Sequence, residues 1–148
     1  MNLFVDWLYT GRLDMDNEIK VNIQGMMDAA VFGYDCTAPL FHADIHNVTV
    51  DHLVNKKMVP SPSCVTFVFE RLPEDNALRE LFADLECYYG NGESLDASVL
   101  PGEFVQMVEG KRDEWWFGEV KELEACEWHV HGSKEEKWEC ERVARDRA

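Results

Sequence analysis

Apolar residues recur at helical spacing along almost the whole chain. Ile23, Met27, Ala30, Val31 and Tyr34 follow at steps of four, three, one and three, which places them on one face of a helix over about residues 18–34. Asp14, Asp16 and Asn17 offer caps before it, and Gly25 weakens it. Phe41, Ile45 and Val48, extended by Leu53 and Val54, mark a second helix. Thr37 is its candidate cap, Pro39 stands in its first turn, and Lys56 and Lys57 complement the dipole at its end. Val65, Val68, Phe69 and Leu72 mark a third. Its run VTFVF is β-branched and aromatic enough to read as a strand, but Ser61 followed by Pro62 is a helix start and decides for helix. The clearest stripe is Leu78, Leu81, Phe82 and Leu85, with Pro73, Glu74 and Asp75 suited to a first turn and Gly90 placed to stop the helix. Phe104, Val105 and Val108 follow Pro101 and Glu103 in a further short helix that ends near Gly110.

Both ends of the chain differ in texture. In VDWLYTGRL, at residues 5–13, Val5, Trp7 and Leu8 read as the last turn of a buried helix that Tyr9-Thr10-Gly11 terminates. Beyond residue 110, Trp116, Val120, Leu123 and Val130 keep a roughly helical spacing interrupted by Gly118. Gly132 closes that unit. Ser133 and Glu136 form an S-x-x-E capping box for a last helix, on which Glu141 and Arg145 are an i,i+4 pair. The expected fold is all-α, an irregular bundle of about six to seven short helices. It divides into a region over 1–110 and a charged, tryptophan-rich helical tail over 111–148.

Composition narrows the function classes. Fourteen basic against 29 acidic residues give a net charge of −15, spread along the chain, which repels phosphate backbones and argues against a nucleic-acid partner. No apolar run reaches the roughly 18–20 residues of a membrane span, and the N-terminus is not a convincing signal peptide. An intracellular protein, cytoplasmic or nuclear, is expected. Cys36, Cys64, Cys87, Cys126 and Cys140 are odd in number and widely spaced, and read as reduced thiols, mostly buried.

For catalysis the sequence is poor. No GxSxG, HExxH, P-loop or GxGxxG occurs, Ser61, Ser63 and Cys64 stand near no obvious base, and no catalytic or cofactor residue is assigned. His42 and His46 share a helical face near Asp35, Asp44 and Asp51, but Phe41 and Ile45 define the inner face and turn the histidines toward solvent. Cys126, His129, His131 and Cys140 give C-x2-H-x-H-x8-C, four donors that suit tetrahedral zinc. On a helix His129 and His131 would point to different faces, so the leading reading assigns no metal ligand. In Trp115-Trp116-Phe117 the rings cannot all face one core, and Trp115 or Trp116 is left as a candidate partner anchor.

Two stretches carry a family resemblance. Trp7, Leu8, Tyr9, Thr10 and Gly11 look like the turn that ends a helix in the middle of a BTB/POZ domain. The stretch at 59–90 is similar to the segment that follows that domain in many fungal proteins: a Pro-Ser-Pro turn, a short helix, then a helix matched here by Leu78, Arg79, Leu81, Phe82, Asp84 and Tyr88. LPGEFV, at 100–105, looks like its continuation. The likeness covers roughly residues 3–108 and lacks the family's mixed βαβ core. It implies a non-enzymatic protein-interaction module, a BTB-derived adaptor or dimerisation fragment with protein partners, among them a second copy or a cullin-type ubiquitin ligase. Two other readings stand beside it: a small metal-binding regulatory domain using Cys126, His129, His131 and Cys140, and a truncated fragment without independent function.

Overall fold

A computed structural model describes residues 3–13, 23–91, 95–115 and 122–147. Among these the chain is all-α, with no strand. Its elements are α1 (Leu3–Thr10), α2 (Ile23–Asp35), α3 (Pro39–Asn55), α4 (Pro62–Arg71), α5 (Ala77–Tyr89), α6 (Gly102–Trp115), a 3₁₀ turn (Ala125–Trp128) and α7 (Lys134–Arg147). No helix among the described residues is long and apolar enough to cross a membrane.

Local chemistry explains most of the boundaries. Pro62 opens α4, and Ser61 caps it by accepting from the Cys64 N–H at 3.4 Å. VTFVF is helical, as the Ser-Pro start requires. Asn76 caps α5 through the Leu78 N–H at 3.0 Å, so Pro73–Asp75 form the turn before the helix rather than its first turn, and Gly90 ends it. Thr37 is not the cap of α3: it sits at φ 51° in the linking turn and Ala38 takes the cap position without a side-chain bond. α6 runs past Gly110, where the backbone stays helical and open space surrounds the missing side chain. The expected start of α2 at residue 18 falls outside the described residues, as do Trp116, Gly118 and Val120.

Packing builds one main core and a smaller cluster beside it. Met27, Val50, Leu53, Val68, Leu81, Phe82, Leu85, Phe104 and Val108 are among the residues buried where α2 to α6 meet, and Trp128 of the 3₁₀ turn joins them. α2 lies along α3 so closely that a methyl group at Gly33 would meet Phe41 Cδ1 at 2.9 Å and the His42 Cα at 3.1 Å. Ala30, Phe41 and Ile45 form the smaller cluster, against which Phe4 and Trp7 of α1 pack. The Trp7 Nε1–H donates to Asp44 on α3 at 2.7 Å, and Gly11 ends α1 at φ 64° with its N–H on the Trp7 carbonyl. The terminator at Gly11 is thus as expected, but α1 is not a buried helix: Val5, Leu8 and Tyr9 are exposed.

Arg79 joins three helices. Its guanidinium is buried, donates to the Phe69 and Leu72 carbonyls at 2.7 and 2.9 Å, stacks on the Phe69 ring and pairs with Glu103 of α6 at 3.2 Å. It satisfies carbonyls that the end of α4 leaves open. Asp84 of α5 meets Lys111 of α6 at 3.0 Å, and burial still pushes the Asp84 carboxyl above its ordinary range. Replacing Arg79→Met strands those buried carbonyls and lowers unfolding stability by roughly 1.5–3 kcal/mol. The check is a fall in the urea midpoint at unchanged slope.

Candidate metal centre

The polar face of α3 positions the segment after the 3₁₀ turn. Three of its residues, His46, Asn47 and Asp51, reach across to residues 128–130. The His46 Nε2–H donates to the Trp128 carbonyl at 2.7 Å. Asn47 grips Val130 twice, its amide donating to the carbonyl at 3.0 Å and its oxygen accepting the Val130 N–H at 2.7 Å. Asp51 accepts from His129 Nε2–H at 2.9 Å. The two hydrogen bonds of Asn47 imitate the pairing of a neighbouring strand, and the chain leaves the 3₁₀ turn extended, with His129 at φ −68° and ψ 144°.

This corrects two expectations. His46 does not face solvent: it is 1% exposed, and burial, with His42 and His129 nearby, holds its imidazole below the ordinary value. Residues 122–130 are not helical where described, apart from the 3₁₀ turn. In an extended segment alternate side chains share a side, so His129 and His131 face the same way, where a helix would have separated them.

Cys126 adds a sulfur from the 3₁₀ turn, and Cys140 a second from α7. One donor atom from each of Cys126, His129, His131 and Cys140 can be chosen so that no two lie more than 4.8 Å apart. His129 Nδ1 is 3.3 Å from Cys140 Sγ, and His131 Nε2 is 3.7 Å from Cys126 Sγ. Metal–sulfur and metal–nitrogen bonds of ordinary zinc length meeting at a tetrahedral angle put sulfur and nitrogen donors about 3.5 Å apart. The two close pairs match that frame.

The electrostatics fit a cation as well. With Asp51 accepting at Nε2, the proton of His129 sits there and the Nδ1 lone pair faces the sulfurs, the arrangement in which a carboxylate orients a metal-bound histidine. Burial, then the Cys140 sulfur beside it, pushes the Cys126 thiol up to about 12. Adjacent thiolates form together when a cation neutralises them. Glu124, Glu127 and Glu141, with Lys137 and Arg145, border a cleft of about 740 Å³ that Cys126, His129 and His131 also line.

The five cysteines are unpaired, as expected, but fewer of them are buried than expected. None is in a disulfide; Cys64 and Cys126 are buried, Cys87 and Cys140 half-buried and Cys36 exposed. Burial pushes the Cys87 thiol to about 11. His42 and His46 form no second centre, since their bonds go to the Ala30 and Trp128 carbonyls. Trp116 lies outside the described residues, and Trp115 ends α6. Of the motif residues, Leu78, Leu81 and Phe82 are core, while Arg79 and Asp84 hold α5 to its neighbours.

Comparison with protein-family models, curated proteins and solved structures finds no match to this chain. The BTB/POZ resemblance therefore rests on its own motif residues.

Asp51 provides the sharpest test of the geometry. Asp51→Ala removes the acceptor that orients His129 and weakens Co²⁺ or Zn²⁺ binding roughly 10–100-fold. Competition with a chromophoric chelator measures the change, and unaltered affinity contradicts the orienting role.

Proposed function

We propose that this chain is a metal-binding helical module in which Cys126, His129, His131 and Cys140 hold a structural Zn²⁺. The observation that carries the reading is the convergence of four nitrogen and sulfur donors from the 3₁₀ turn, the extended segment and α7. Two thiolates and two imidazoles are the donor set of structural zinc, and four protein ligands complete the tetrahedron without an open position for substrate. His129 carries a carboxylate partner on its far nitrogen, as metal-bound histidines usually do. Two thiolates also neutralise the charge of the ion, so the centre fits into a half-buried site without residual charge.

The purified chain binds about one equivalent of zinc after dialysis, measured by elemental mass spectrometry. Co²⁺ takes the same place and gives the visible absorption of a tetrahedral ion with sulfur charge-transfer bands. The Cys126→Ser/Cys140→Ser double variant retains less than about a tenth of an equivalent. Zinc-free wild-type protein that fails to take up the metal, or full retention by the double variant, refutes the centre.

A second reading, a protein-interaction module of the BTB-derived adaptor kind, is supported by apolar side chains on the N-terminal helices. Leu8 is 58% and Tyr9 88% exposed on α1, and Leu40 is 73% exposed at the start of α3. Exposed apolar residues of this size serve as partner contacts. A pull-down with the full chain recovers a cullin-type subunit, and Leu8→Asp, a change at an exposed site, loses it. A folded sample that recovers no cullin excludes the adaptor version.

A further inference from the structure

We infer that α7 is docked by the metal rather than by packing, so that occupancy of the centre switches the C-terminal arm between a held and a released state. The inference rests on the zinc reading and adds to it what the ion regulates.

Three observations carry it. First, α7 buries none of its 14 residues. Trp138, its one aromatic side chain, is 63% exposed, and Val143 and Ala144 are only half-buried. Helices in proteins normally draw their stability from a buried apolar face, and one of this length is marginal alone in water.

Second, α7 is supported from within. The Glu136 N–H is capped by Ser133 at 3.1 Å, and the Glu136 carboxylate accepts the Gly132 N–H at 2.7 Å. Arg142 pairs with Glu139 and Asp146, and Lys137 with Glu141. These bonds stabilise the helix but do not fix its place on the body. The expected pair between Glu141 and Arg145 is likewise local: Arg145 donates to the Glu141 carbonyl, and the Glu141 carboxylate turns to Lys137.

Third, Cys140 is where α7 meets the body's anchored residues. Its sulfur lies against His129, which Asp51 of α3 holds, and within the donor group of Cys126, buried in the 3₁₀ turn. Three of the four donors belong to the segment that α3 clamps, and the fourth is on α7. An ion bound to all four is a bond between body and arm. Without it, the half-buried Cys140, Val143 and Ala144 and a weak sulfur contact remain among the described residues.

Amide hydrogen exchange on the full chain tests this, comparing zinc-loaded protein, protein stripped with EDTA and protein reloaded with zinc. The metal content of each sample is measured in parallel. Removal of zinc speeds exchange over residues 134–147 by about tenfold or more, leaves α3 and α5 protected, and is reversed on reloading. Cys140→Ser, which keeps the three body donors, gives the fast-exchanging arm even with zinc present. Tryptic cleavage after Lys137 and Arg142 follows the same order. If zinc binds stoichiometrically but exchange in α7 is the same with and without it, the switch is overturned and the centre stands. If stripping unfolds α3 and α5 together with α7, the metal supports the whole fold and the switch is likewise overturned. If the chain takes up no zinc, both fall.

Discussion

The structure turns on α3, a helix that is covered on two sides by different means. One side is apolar: Phe41 and Ile45 are fully buried, and α2 presses against them so closely that only glycine fits at position 33. The adjoining side carries His46, Asn47 and Asp51, three polar groups at positions that face residues 128–130. A buried imidazole and a half-buried amide need partners, and removing water from them without replacement costs about 1–3 kcal/mol for each group. The backbone of residues 128–130 supplies those partners. A segment that answers three side chains along one helix has little freedom left, and here it is extended. The orientation of both histidines of the cluster follows from that constraint.

The donor set then has a defined chemical character. Cys126 is buried, which disfavours a lone thiolate, and Cys140 lies beside it. In the proposed centre, a divalent ion of borderline softness reconciles the two sulfurs with their surroundings, and the imidazoles complete the shell. The chain's acidic excess contributes at longer range. A net charge of −15 concentrates cations near the surface, and Glu124, Glu127 and Glu141 bring part of that charge to the cleft beside the cluster.

How much of this the sequence discloses depends on the distance over which each feature is decided. The start of α4 is written in Ser61-Pro62, the end of α5 in Gly90 and the start of α7 in Ser133 and Glu136, all within one turn of the residues they control. These are readable, and with them the all-α class. The length of α6 is not, because Gly110 looks like a stop, although an exposed glycine only weakens a helix whose apolar stripe precedes it. The burial of α1 is overestimated for a related reason: Phe4 and Trp7 meet the body, while Val5, Leu8 and Tyr9 on its other sides stay exposed. The four donors are visible as residue types, but their convergence is not. It hinges on residues 129–131 being extended, and that is set by Asn47, 83 positions before Val130.

The same long-range dependence gives the tail its division of labour. A local helix signal can specify α7 but not its position, because none of its residues reaches the core. A long-range clamp can specify residues 128–130, but its hold ends before Gly132 and leaves the helix beyond it unplaced. The cysteine of α7 is where the two kinds of information meet, and it brings a ligand rather than an apolar side chain to that meeting. Apolar packing would have made the arm a permanent part of the bundle. In the proposed centre, a sulfur donor makes its attachment depend on something outside the chain, the supply of the metal.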